Sequence, residues 1–198
     1  MSTSRLEAFS DGVLAIVITV MVLELKPPGH PDLHSLVHDS GLGLLTYVLS
    51  FIYIGIYWSN HHHMFQICNY VDGSVLWANL HLLFWLSLYP FTTTWVAESD
   101  LKQTPTVVYG VNLLAAGVAY YLLQIRMTQM PEGGERLREV VGDDLKGKLS
   151  PVIYASGIAL AFVEPWLGAI PFVVVALMWL VPDRRVERYL QTHRELRD

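Results

Sequence analysis

The sequence predicts an all-α integral membrane protein, and three observations carry that prediction. Of its 198 residues, 53% are hydrophobic and only 16% charged, a balance that suits a bundle of membrane helices better than a soluble domain. The apolar residues gather into recurring segments of about 20, the length of helix that crosses the hydrocarbon of a bilayer. The lysines and arginines collect between alternate segments, as the loops on the cytoplasmic side of a membrane protein do.

The first segment is Val13 to Leu25. Upstream of it, Ser4-Arg5-Leu6-Glu7 fits a capping box, which predicts a helix start at Ser4 and puts Phe9, Ser10 and Asp11 inside the helix. A cleavable signal peptide would want an uninterrupted apolar core and a small-residue cleavage site. Here Asp11 interrupts the core and LELKPPG follows it, so the segment reads as a retained helix. Further segments run about Gly41 to Trp58, Ser74 to Ala97, Thr106 to Ile125, and Ser150 to Val181. The last holds Glu164-Pro165 at its centre, and proline disfavours helix at the residue before it as well as lacking a donor. That stretch is expected to be two short helices joined by a tight hairpin.

Six spans place Arg5, Arg126, Arg136, Arg138, Lys146, Lys148, Arg184, Arg185, Arg188, Arg194 and Arg197 on the inner side, against Lys26 and Lys102 outside. That eleven-to-two split favours six spans with both termini cytoplasmic, since five would put the Arg-rich tail outside. Residues 1–198 then form one transmembrane domain, with a charged cytoplasmic loop at about 127–149, carrying a helical turn or two, and a cytoplasmic tail at about 183–198. A net charge of -5 is too small and too mixed in sign to suggest nucleic acid as a partner. The single Cys68 excludes an internal disulfide framework.

The opening helix carries two faces. At about 100° per residue, Phe9, Gly12, Ile16, Val20 and Leu23 share one stripe with Thr19 at its edge, and Asp11 points about 140° away from Ile16. Apolar residues dominate every face of an ordinary membrane helix, so the stripe alone specifies only packing against helices or lipid. An aspartate in such a helix needs a partner or water. Topology brings to its level the end of the second span, YWSNHHHMF, and the start of the third, LWANLH. Asp11, His61, His62, His63, Asn79 and His81 thus share one depth, and histidine or asparagine can donate to the carboxylate. A buried network that staples three helices is the expected role, ahead of a proton relay.

At these residues the chain resembles the bacterial relatives of the lysosomal potassium channel called transmembrane protein 175. The likeness lies in Arg5, Phe9-Ser10-Asp11, the following AIVITVMVLEL, Trp58 with His61, Asn79, and PFTTTW from Pro90 to Trp95. The resemblance implies six-helix subunits assembled as a homotetramer in the bacterial inner membrane, with the first helix lining a central pore for monovalent cations and no cofactor. It further implies that Ile16 forms an apolar constriction, that Val20 and Leu23 stand above it, and that Thr19 carries the hydroxyl concerned with potassium preference. Arg5, Phe9, Ser10, Asp11, Trp58, His61 and Asn79 correspond to the packing network.

The residues themselves suit this reading. No TVGYG-like stretch is present, so the usual ring of filter carbonyls is not on offer and an apolar ring must discriminate by dewetting and partial dehydration. Glu24, near the outer mouth, either concentrates cations or is an interfacial charge. Two rival classes remain. A histidine-rich metalloenzyme would need the eight histidines to converge, yet His30, His34 and His38 fall on the opposite side of the membrane from His61 to His63. A surface metal site at His30, His34 and His38 competes with a solvated helical face. A coupled secondary transporter using Asp11 would want broken helices and an internal repeat, and neither is clear.

Overall fold

The computed structural model describes residues 2–68, 70–142 and 144–180. Among them run eight helices: α1 (Thr3–Leu23), α2 (Leu33–Ile67), α3 (Gly73–Ser87), α4 (Tyr89–Glu98), α5 (Gln103–Thr128), α6 (Gly134–Val141), α7 (Leu145–Ala161) and α8 (Pro165–Leu180). Extended pairing among the described residues is an isolated antiparallel bridge between Ser2 and Tyr70, which ties the start of the chain to the α2–α3 loop. The tail expected at 183–198 lies outside the described residues.

The helix boundaries follow local chemistry, with two departures from the sequence reading. α1 begins with Ser2 as its N-cap and no side-chain cap bond. The Ser4–Glu7 capping box does not form: Ser4 Oγ donates to Ser2 Oγ at 3.3 Å, and the Glu7 carboxylate meets His62 of α2 instead. A tertiary partner has outcompeted the local one. The second departure is the third span, expected as a single run from Ser74 to Ala97. It is broken at Leu88 into α3 and α4, because Pro90 in the first turn of α4 has no N–H to continue the ladder.

Asp32 and Asp72 cap α2 and α3, accepting from Ser35 N at 2.8 Å and Val75 N at 2.9 Å. The Ser74 hydroxyl, with the Val75 amide, holds the Asp72 carboxyl below the usual carboxylate range. α2 has 35 residues, about 52 Å of helix against about 30 Å of hydrocarbon, so it outruns the bilayer at its ends. The HHH run is helical and belongs to α2. In the loop after α5, the expected helical turn or two is α6, which turns Leu137 and Val140 inward and its charges out. Gly133 enters it with φ +85°, where a Cβ would stand 2.6 Å from the Ile67 carbonyl oxygen.

The last apolar stretch forms the hairpin expected at Glu164-Pro165: α7 ends at Ala161 and α8 starts on Pro165. The two helices approach closely at small residues. A Cβ on Gly168 would lie 2.6 Å from the Ala161 Cβ and 2.8 Å from the Gly157 carbonyl oxygen, the small-residue contact by which membrane helices pack. α5 is the hub, touching α3, α4, α6, α7 and α8, while α1 rests on α2, α3 and α4. Tyr53, Tyr89, Leu113 and Phe172 fill the centre. Among the described residues three helices, α1, α2 and α5, are each long and apolar enough to cross a membrane, and α8 is apolar but shorter.

Candidate functional site

α1 divides as its periodicity predicts. Leu6, Ser10, Leu14, Val17 and Met21 face the core of the bundle, and Val17 is only 4% exposed. The opposite stripe is uncovered: Phe9, Ile16 (63% exposed), Val20 and Leu23 (80%) touch little of their own subunit. Gly12 and Thr19 are exposed beside them. The Thr19 hydroxyl donates to the Ile16 carbonyl at 2.9 Å, which spends its proton on the backbone and leaves the oxygen lone pairs free to meet a cation. Alongside the stripe runs a groove whose other wall is α4, with Pro90, Phe91, Thr94 and Trp95, and whose end toward the α1 C-terminus holds Glu24 and Glu98. Lys26 in the following strap reaches Glu98 at 2.6 Å, and that carboxylate raises the lysine's pKa.

The core side of α1 is held by a buried chain of polar groups. The Asn79 amide donates to Ser10 Oγ at 2.9 Å, and Ser10 Oγ donates to the Leu6 carbonyl at 2.9 Å. The Asn79 oxygen is therefore the group facing His61 Nε2 at 2.8 Å, so Nε2 carries the ring proton and donates. Ser10 and Asn79 are 0% exposed and His61 2%. His61 also stacks on Phe65, and its Nδ1 has no hydrogen-bond partner among the described residues. α1, α2 and α3 are joined at one point by these three side chains.

Asp11 is not a member of that chain. Its Oδ1 accepts from the Trp58 indole N–H at 3.0 Å, so of the candidates at its level neither the histidines nor Asn79 is its hydrogen-bond partner. His81 faces away and accepts from Trp85 at 2.9 Å. One turn below Asp11, Glu7 meets His62 Nδ1 at 2.5 Å, and Gln66 donates to His62 Nε2 at 2.8 Å. The sequence pattern offers Glu7 as a cap and gives Gln66 no role; the i, i+4 spacing of Glu7 with Asp11 and of Trp58 with His62 is the signal that points to this pairing. Arg5 is exposed and makes no hydrogen bond or ion pair among the described residues.

Within PFTTTW two threonines turn inward, Thr93 sharing a 2.7 Å hydrogen bond with Ser50 and Thr92 accepting from Asn112 at 3.2 Å, while Thr94 lines the groove beside α1. These bonds fix α4 against α2 and α5. In the first turns of α2 His34 stacks on His38, which lies 3.0 Å from Asp39. No group of three or more His, Cys, Asp or Glu able to hold a metal occurs among the described residues.

The fold is a helical bundle with helices long and apolar enough to cross a membrane, and its first helix is held by polar bonds on one face and bare on the other. The model of the family described as endosomal/lysosomal potassium channel TMEM175 matches residues 5–90. A Chryseobacterium protein described as a potassium channel is 46% identical over 96% of this chain and 99% of its own length. The chain belongs to the TMEM175 family, a family of membrane ion channels and not of enzymes. The crystal structure of a lysosomal potassium-selective channel TMEM175 homologue from Chamaesiphon minutus superposes with a TM-score of 0.74 at 29% identity, covering 89% of this chain and 95% of that one. The chicken endosomal/lysosomal proton channel TMEM175 is 29% identical over 58% of this chain, which corresponds to 23% of that longer protein.

Proposed function

We propose that the protein is a potassium-preferring cation channel of a bacterial cell membrane, a homotetramer whose four α1 helices line a central pore. The observation that carries this reading is the bare stripe of α1 opposite a face locked by Ser10, Asn79 and His61. A membrane helix can leave such a stripe to lipid. Here it is bounded on one side by the groove against α4, whose mouth carries Glu24, a carboxylate suited to cations and not to acyl chains, beside the Lys26–Glu98 pair. Membership of an ion-channel family whose bacterial relatives are described as potassium channels supports the same reading.

Six crossings follow if α3 and α4 serve together as one and α7 and α8 as two, with both termini cytoplasmic. At the depth of Ile16, four branched apolar side chains close the pore to a dry ring. An ion passing it gives up part of its water, which penalises the more strongly hydrated sodium more than potassium. Val20 and Leu23 continue the apolar lining outward, and Thr19 oxygens replace some lost water. Few dipoles take part, so discrimination is modest. Conduction is passive and needs no cofactor. Asp11, about 140° round the helix from Ile16 and bonded to Trp58, acts as a brace and not as a transport site.

The test is reconstitution of the full chain in a planar bilayer under opposed potassium and sodium gradients. Ohmic unitary currents with a reversal potential displaced toward potassium are expected. Flux that saturates and needs a second coupled ion, or a monomeric mass across several mild detergents, would overturn the proposal.

A further inference from the structure

The buried Ser10–Asn79–His61 chain is not the only tie on the first helix. Two further contacts link α1 to α2 one turn apart, Asp11 with Trp58 and Glu7 with His62. They are parallel rungs, since Glu7 and Asp11 are four residues apart on α1 and Trp58 and His62 four apart on α2. The Trp58 and His62 rings lie nearly parallel, 14° apart with centroids at 6.0 Å, so the rungs touch. They differ in one respect: a histidine ring can take up a second proton and an indole cannot.

The hydrogen bonds around His62 specify its resting form. Gln66 Nε2 donates to His62 Nε2, which must then offer a lone pair, so the ring proton sits on Nδ1 and is donated to the Glu7 carboxylate. Adding a proton places N–H on both ring nitrogens. The Glu7 bond becomes an ion pair, and Gln66 must turn its amide to present oxygen. Gln66 is exposed, so that turn is unobstructed. The His62 and Glu7 side chains are 38% and 21% exposed, and solvent protons reach the pair.

We propose that Glu7, His62 and Gln66 form a proton-sensitive staple that positions the amino-terminal turns of the pore-lining helix. The proposal rests on the reading of α1 as the pore helix. The charged and titratable groups around His62 are few. α1 contributes Glu7 and Asp11, and α2 itself contributes His61, turned to Asn79, and His63, whose ring lies 6.0 Å from that of His62. Of the other helices packed on α2, α8 carries no charged residue, the one acid of α4, Glu98, is spent on Lys26, and α6, whose Gly133 cap meets α2 beyond the site at Ile67 and Cys68, keeps its charges Glu135, Arg136, Arg138 and Glu139 exposed. α3 brings Asn79 to this level, and its His81 is engaged by Trp85.

The experiment is a double-mutant cycle on the full-length protein with Glu7→Gln, His62→Gln and the pair, read by thermal melting at about pH 7.5 and about pH 5.5, on either side of the histidine range. The coupling between positions 7 and 62 is expected to be present at the higher pH and to grow on acidification. In bilayers, potassium current should respond to pH on the α1 amino-terminal side by about two- to fivefold, the range of a half-exposed ion pair. His62→Gln keeps an amide donor for Glu7 but cannot titrate, and should flatten that response; His63→Gln should retain it. A coupling that does not grow on acidification, or a pH response removed by His63→Gln and kept by His62→Gln, overturns the staple. If the wild type passes no current, the pore reading falls, and the melting cycle still decides the staple.

Discussion

The two halves of the chain hold together by different means. In the second half, α5, α7 and α8 close on one another through glycines, small residues and buried rings, with Gly157, Ala161 and Gly168 at the closest approach and Phe172 wedged against Gly110. The polar ties of that half, Trp179 to Ser150 at 2.8 Å and Gln124 to Asp144 at 3.1 Å, lie toward the start of α7 and away from that closest approach. In the first half, α1 touches its neighbours on one face only and is held there by named hydrogen bonds, Asn79 to Ser10, Asp11 to Trp58 and Glu7 to His62. Shape locks one half, and directional bonds aim the other. A helix that must keep a face bare has half the packing surface of a buried one, and polar ties in a low-dielectric setting make up in orientation what is missing in area. The family model matches residues 5–90, the half that is aimed.

Substitutions can break this contrast, beginning with the most damaging. Gly168→Val forces branched carbons into the Ala161 methyl and the Gly157 carbonyl. It should cost about 3 kcal/mol and lower the melting temperature, while any channel that assembles keeps its ion preference. A change of selectivity without a fall in stability would show that the second half does more than scaffold. Asn79→Ala removes the shared partner of Ser10 and His61 in a fully buried site, at about 2 kcal/mol. Asp11→Asn leaves an acceptor for the partly exposed Trp58 and should cost less than about 1 kcal/mol. If Asp11→Asn proved as destabilising as Asn79→Ala, the buried chain would not be the principal tie.

On the bare face the order reverses, with small effects on stability and clear ones on permeation. Ile16→Asn should leave melting unchanged within about 0.5 kcal/mol while wetting the ring, raising conductance and reducing potassium-over-sodium discrimination. Val22→Asn, exposed and about 120° round the helix, is the control; Val17 cannot serve, because it is buried and an amide there would disturb the core. Equal effects of Asn at positions 16 and 22 would remove Ile16 from the pore. The smallest effect belongs to Thr19→Val, which deletes one hydroxyl and nearly preserves shape. It should weaken potassium preference by roughly two- to threefold, in line with about 0.5 kcal/mol for one half-solvated contact. Unaltered reversal potentials would discharge Thr19 from that role.

What the sequence determined by itself is whatever depends on rise and rotation per residue. Apolar length marked α1, α2 and α5 as helices able to cross a membrane, Glu164-Pro165 marked the hairpin, and the 100° step separated Ile16 from Asp11. Phe9-Ser10-Asp11 with Trp58, His61 and Asn79 carried the family. The break at Leu88 was legible too, since Pro90 stands in the run as Pro165 does in the last one. Partner choice was not legible. Trp58, His61 and His62 lie within about one turn on α2, so depth alone offers all three to α1, and only the rotation and distance between the helices assign the indole to Asp11, His61 to Asn79 and His62 to Glu7. The same holds for Glu7, whose spacing from Ser4 suits a cap and whose carboxylate went elsewhere. A local bond at a helix end competes with water, whereas a tertiary bond between helices also compensates desolvation, so it is the tertiary structure that decides which of two chemically adequate partners a polar side chain takes.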